Sequence, residues 1–371
     1  MSPFKIAHTI AEDWAHAAKG CSDRLGDCGG QPALGFVYVT DALAEDLSSI
    51  LTYLRQKTGL EQWIGTVGLG IFADGADYFD EPAMAAMVAP LPEDSFRLFP
   101  SLTEGAGQIP QDLRDWIGRT SPSIGIVHGD PSREDLVGLI EDVAQATSGF
   151  LVGGLTSSRA ANHQVAGRVT GGGISGALLS PEIPVITGLS QGCSPIGESH
   201  EISDCLDNVL IGLDGRKALD VFRKEIGPGY SASLSEVGGL IHAALPIHGS
   251  DTGDYLVRSL VGIDPERGWL AIADQVEPGD RILFVKRDAE TAVEDLKRMA
   301  ERLKARIDGP PRGGVYVSCI ARGPDMFGDA GGEMTIIRET LGEFPLIGFY
   351  ANGEISLNRL YAYTGVLTLF L

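Results

Sequence analysis

LGFVYVTDALAEDLSSILTYL, residues 34–54, begins as an apolar strand and runs without a break into a helix. Thr40 or Asp41 can cap that helix, and Leu43, Leu47, Ile50, Leu51 and Leu54 recur at the spacing that places them on one face. Gly59 can end it. A second strand is expected at IGTVGLGIF (64–72), then a hairpin through ADGADYFDEP and a return strand at AMAAMVAPL (83–91).

The same order of elements returns at an offset of about 90 residues. SIGIVHG (123–129) is a strand, Asp130-Pro131 starts a helix with Leu136, Leu139, Ile140 and Val143 inward, FLVGGLTSS (150–158) is the next strand, and GGGISGALLS (171–180) returns. Phe36 corresponds to Ile126, Asp41 to Asp130, Gly65 to Gly153 and Met84 to Ile174. The match is one of pattern, because the two copies share little identity. A duplicated strand-helix-strand-strand unit, about 34–91 and 123–180, therefore shares one core.

After a turn-rich stretch, a short helix is expected near GRKALDVFRKEIG (215–227), ended by Pro228-Gly229. Strands follow near WLAIAD and DRILFVK, then a helix from about Asp288 to Ala305, the strand GGVYVSC (313–319), a helix over 333–341, the strand PLIGFY and a last strand YTGVLTLFL. The expected fold is mixed α/β (α+β). It comprises an N-terminal extension (1–29), a domain with the internal repeat (30–227) and a C-terminal mixed-sheet domain (228–371).

Among 371 residues, 50 are acidic and 29 basic, a formal charge of -21 that repels both phosphate backbones and anionic lipid. Nucleic acid is excluded as a partner on this ground. No run approaches the roughly 20 apolar residues of a membrane span, and the first residues lack a signal-type apolar core, so no membrane insertion and a cytoplasmic location are expected. Cys21, Cys28, Cys193, Cys205 and Cys319 are irregularly spaced with no C-x-x-C pair, which points to reduced thiols and no zinc site.

Three stretches hold candidate chemistry. In VYVSCIARGPDMFG (315–328) a strand brings Cys319 to its end, and Arg322-Gly323 opens a loop that can turn tightly around a ligand anion. In YANGEIS (350–356), Asn-Gly signals a tight hairpin turn, while Tyr350, Asn352 and Glu354 stand where a pocket could be lined. In SQGCSPIGESHEI (190–202), Gln191 and Cys193 lie in a polar turn, and the spacing to His200 matches no metal motif. A nucleophile elbow, a Walker A loop and a dinucleotide-binding fingerprint are not expected, the glycine-rich run around 171–176 reading as a hairpin turn.

The order GLSQGCSPIG, DQVEPGDRILFVKRD, VSCIARGPDMFG, FPLIGFYANGEI and YTGVLTLF resembles the FIST family, from about residue 30 to the end. That resemblance implies a small-ligand-binding sensory module of bacterial signal transduction, with an amino-acid-like ligand and a separate signalling partner such as a histidine kinase. Arg322 would then meet a ligand anion and Glu354 a cation. An alternative within the family is a haem-binding nitric-oxide sensor, for which His242 or His248 are the candidate ligands; otherwise no cofactor is expected. A further alternative is an enzyme with Cys319 as nucleophile, which needs a base near the thiol.

Overall fold

The computed structural model describes residues 4–231, 237, 239–247, 254–328 and 332–371. By packing, the chain forms two compact units, one of residues 1–191 with 293–371 and the other of residues 192–292. These units cross the expected division at residue 227, because the second is an insertion whose two ends return to the first.

The first unit contains the strand-helix-strand-strand motif three times. In the first copy, Ala33–Thr40 pairs in parallel with Trp63–Gly68 across the helix Leu47–Thr58, and Ala83–Pro90 lies antiparallel on the other side of Ala33–Thr40. The second copy repeats this with Ile124–Gly129, the helix Leu136–Ala146, Leu151–Leu155 and Ile174–Leu179. A third copy, not expected from the sequence, uses Gly313–Cys319, the helices Gly323–Phe327 and Gly332–Leu341, Leu346–Ala351 and Thr364–Phe370.

Each copy also has an outer strand on its sheet: Lys5–Ile10, Phe96–Leu102 and Val185–Gln191, in that order. The segment expected to be an N-terminal extension is thus integral to the fold, as it supplies the first of these strands and the helix Trp14–Leu25. Asp13 caps that helix by accepting the His16 N–H at 2.9 Å.

Every copy sends a hairpin into a neighbouring sheet. Gly70–Ala73 of the first pairs with Leu346–Ala351 of the third, Gln164–Ala166 of the second with Trp63–Gly68 of the first, and Glu354–Leu357 of the third with Leu151–Leu155 of the second. Two expectations change here. IGTVGLGIF is two strands in different sheets rather than one, and the hairpin it leads into turns at Asp74 and Gly75, both at positive φ as that tight turn requires. The Asn352-Gly353 step closes no hairpin; with Gly353 at φ 135° it carries the chain from one sheet to the next.

The three sheets share one core. Leu34, Phe36, Ile124, Ile126, Val315, Ile347 and Phe370 pack together inside it, while a separate apolar layer lies between each sheet and its own helices. Burial of this kind is worth about 1.5–3 kcal/mol for each large apolar side chain.

The second unit is a sheet in the order Tyr255–Arg258, Ile241–Pro246, Arg281–Arg287, Cys193–Leu206, Val209–Leu213, Trp269–Ile272 and Leu260–Asp264. The helix Ala218–Ser231, kinked at Gly227, covers it through Leu219, Phe222 and Ile226. The stretch expected to be turn-rich is mostly the long strand Cys193–Leu206. Its polar residues alternate with buried ones and its pairing is interrupted by bulges, which hides the strand from a count of apolar periodicity.

Candidate functional site

In open α/β sheets ligands gather at the carboxyl ends of parallel strands. All three copies direct those ends to the same part of the first unit's interior, and there the inward residues change from apolar to polar. Tyr38, Thr66, His128, Thr156, Gln164, Ser175, Glu354 and Thr364 are all buried at that end. Buried polar groups are costly unless paired, and most of these are. Tyr38 Oη and His128 Nε2 are 3.1 Å apart, the Thr66 and Thr156 hydroxyls 2.6 Å, and the Ser175 hydroxyl donates to Gln164 Oε1 at 2.8 Å. Burial pushes His128 down to about 3, so its ring stays neutral.

Glu354 is the exception in charge. It is fully buried, and its Oε2 accepts the N–H and hydroxyl of Thr364 at 3.1 and 2.8 Å, whereas Oε1 has no hydrogen-bond partner among the described residues other than the Cys319 thiol. Burial pushes its carboxyl up to about 8, against the opposing bonds from Thr364. Cys319 lies beside it, and burial and then the Glu354 charge push that thiol well up as well. The group that could take the thiol proton of a cysteine nucleophile is thus the Glu354 carboxyl, once ionised.

A pH dependence of stability follows. Folded Glu354 keeps its proton to about pH 8, whereas the unfolded chain loses it near 4.5. Between these values the unfolded state binds fewer protons, so stability falls as pH rises, by up to about 1.4 kcal/mol per pH unit, and levels off above the upper one. In urea midpoints taken from pH 5 to 8, the wild type should carry this falling contribution beneath the opposing rise, complete by about pH 6.5, from His128 and His242, which are held neutral in the fold. Glu354→Gln should remove the fall; equal slopes would show that Glu354 is ionised in the fold.

The Arg322 guanidinium is fully buried and directed at the protein itself. Its Nε and Nη2 donate to Glu333 Oε1, each at 2.9 Å, and Nη1 donates to the Ser190 carbonyl at 3.1 Å. Glu333 also accepts the Tyr316 hydroxyl at 2.7 Å and the Ser318 hydroxyl at 2.7 Å. The anion expected to meet Arg322 from outside is thus provided by the chain. Gly323, at φ 34°, starts the short helix that follows.

Asn352 is exposed and lines a cleft of about 280 Å³ together with Leu69, Pro131, Ser132, Thr156, Ser157, Ser158 and Asn162. All three copies contribute to it. At its edge the Asp130 carboxylate accepts the Ser132 N–H and hydroxyl, the Gly172 N–H at 2.9 Å and the Asn162 amide at 3.3 Å. Burial acts the other way, but these bonds hold it below the usual carboxylate range. Thr156, Ser157 and Ser158 of this lining come from the end of the run FLVGGLTSS in the second copy.

The remaining candidates are dispersed. Tyr350 faces the opposite side of its strand and donates to Asp77 Oδ2 at 2.9 Å. Gln191 ends an outer strand opposite Thr364, with both polar atoms of its side chain buried and without hydrogen-bond partners among the described residues. Cys193 belongs to the second unit, where its carbonyl accepts the Tyr255 hydroxyl at 2.6 Å. His242 is also there, buried, and pushed down to about 4 by burial and by Arg287. His248 lies outside the described residues. Glu333 and Thr364, which organise the site, carried no sequence signal, because their partners come from distant segments.

No helix among the described residues is long and apolar enough to cross a membrane. The family model for the FIST N domain matches residues 33–216, and that for the FIST C domain residues 218–356. An uncharacterized protein of Mycobacterium tuberculosis (strain H37Rv) is 30% identical over 98% of this chain and 96% of its own length. An uncharacterized protein of Mycobacterium bovis is 29% identical over 95% of this chain and 94% of its own. The chain belongs to the FIST family, whose domains are sensory domains of signal transduction.

Proposed function

We propose that the chain is a receptor for a small, polar, amino-acid-like metabolite bound in the cleft at the carboxyl ends of the repeated strands, and that it signals through a separate protein such as a histidine kinase. The lining of that cleft supports this best. Four hydroxyl-bearing residues (Ser132, Thr156, Ser157 and Ser158) and two amides (Asn162 and Asn352) surround a volume suited to a small ligand, at the position where α/β sheets bind theirs. Ser132, Thr156, Ser157 and Asn162 also bond within the fold, which leaves the Ser158 O–H to donate to the carboxylate end of a zwitterion and the Asn352 amide to donate to or accept from either end. This differs from a site built on Arg322, whose N–H groups are committed to Glu333 and Ser190.

A thermal-shift screen of free amino acids and related amines, followed by calorimetry on any hit, tests the proposal. Asn352 is exposed, and its side chain makes no hydrogen bond among the described residues, so Asn352→Ala should keep the fold and weaken binding by about 1 kcal/mol, roughly fivefold in Kd. An unchanged Kd in the folded variant would remove the cleft as the site. A Soret band from the purified protein would instead favour the haem alternative through His242.

A further inference from the structure

The threefold repeat provides an internal comparison at Cys319. Gly153 faces Val127 and Gly348 faces Tyr316 in the same register, so Cys319 stands in the third copy where Asp130 stands in the second. Asp130 is an anion held by two backbone N–H groups, those of Ser132 and Gly172. The equivalent groups, the N–H of Ala321 and of Tyr363, face the Cys319 sulfur. Tyr363 is at φ 62° where its counterpart Gly172 is at φ 76°. A tyrosine in that region is strained, so the structure around it must hold it there, with its N–H turned to the sulfur.

A lone buried thiol in such a cradle would be inert, but here a second group points to a reactant. Glu354, fully buried, hydrogen-bonds with the Cys319 thiol, and its Oε1 has no other partner among the described residues. Gln191, opposite Thr364 on the adjacent strand, adds an unpartnered carboxamide. Residues facing each other across a β-pair share a face, so this amide is on the side of Thr364 that holds Glu354.

We propose that Cys319 and Glu354 are a nucleophile and general base that take an acyl group from a small activated ester or thioester. Sγ attacks the acyl carbon and forms the S–C bond as the thiol proton passes to Glu354 Oε1. The bond from carbon to the leaving alkoxide or thiolate breaks, and the departing group takes a proton from Glu354 or from water. The Ala321 and Tyr363 N–H groups favour the sulfur anion as it develops, and the Gln191 amide is placed to donate to the acyl oxygen. A base that titrates near neutral pH suits this role, and burial raises Glu354 into that range. This inference does not depend on the cleft: a ligand can bind there with Cys319 inert, and Cys319 can be acylated with the cleft empty.

p-Nitrophenyl acetate is the probe. Release of p-nitrophenolate and peptide mapping of the acetylated thiol should show Cys319 modified ahead of the half-exposed Cys28, and no adduct at residue 319 in Cys319→Ser. Glu354→Gln should slow acetylation on the order of 100-fold. In the wild type, the rate should rise through an inflection near pH 8, set by Glu354, a readout that holds even if the variants fold poorly. Acetylation of Cys319 no faster than of Cys28, or an equal rate in folded Glu354→Gln, or a rate that climbs with pH without that inflection, overturns the proposal.

Discussion

Replacing Arg322 with alanine should lower the free energy of unfolding by about 3–5 kcal/mol, the range seen when one partner of a buried ion pair is removed. Neither Arg322 nor Glu333 reaches solvent, and the guanidinium meets the carboxylate through two nitrogens at 2.9 Å. Among the described residues, truncation leaves Glu333 the Tyr316 and Ser318 hydroxyls to offset a buried charge, and the Ser190 carbonyl loses its donor. The cost arises from the stranded charge rather than from the pair's own net worth. Arg322→Met combined with Glu333→Leu should therefore cost markedly less than Arg322→Ala alone. Urea unfolding of the three proteins measures this; a loss under about 1 kcal/mol for Arg322→Ala would mean that the carboxylate is reached by water.

Gly153→Ala should cost at least about 4 kcal/mol or prevent folding, since it joins backbone strain to a collision that no side-chain motion relieves. A Cβ at Gly153 would lie 1.9 Å from the Val127 carbonyl oxygen, with φ at 146°. The same contact occurs in each copy, at 1.7 Å between Gly65 and the Val37 oxygen and at 1.7 Å between Gly348 and the Tyr316 oxygen. These oxygens belong to the parallel ladders of the three sheets, so they cannot retreat without breaking strand pairing. Gly138→Ala, in a helix with open space around the added carbon, is the control and should stabilise by roughly 0.5–1 kcal/mol. Thermal melts of both variants check the contrast.

Two copies of the repeat could be read from the sequence because their strands are short apolar runs and their helices have a clear apolar face. The third escaped because residues 192–292 separate its outer strand from the rest, and because the link between its parallel strands is divided into Gly323–Phe327 and Gly332–Leu341. Sheet exchange by the hairpins was also hidden: Gly70–Ala73 and Glu354–Leu357 look like continuations of the strands before them, and only pairing between distant segments shows otherwise. Cys319, Asn352 and Glu354 stood out because they fall at strand ends. Glu333 and Thr364 did not, since a helix-borne glutamate and a strand threonine have no local mark of the carboxylate or guanidinium they meet.

A receptor for a small metabolite at the polar carboxyl ends of the three copies must hold that metabolite on the folded protein alone. Native mass spectrometry of the wild type and of Asn352→Ala, each mixed with the free amino acids and compared with its denatured mass, tests it most directly. The native wild type should carry a small added mass that is lost on denaturation and reduced in the variant. No added mass on either protein, or one equal in both, would contradict that reading.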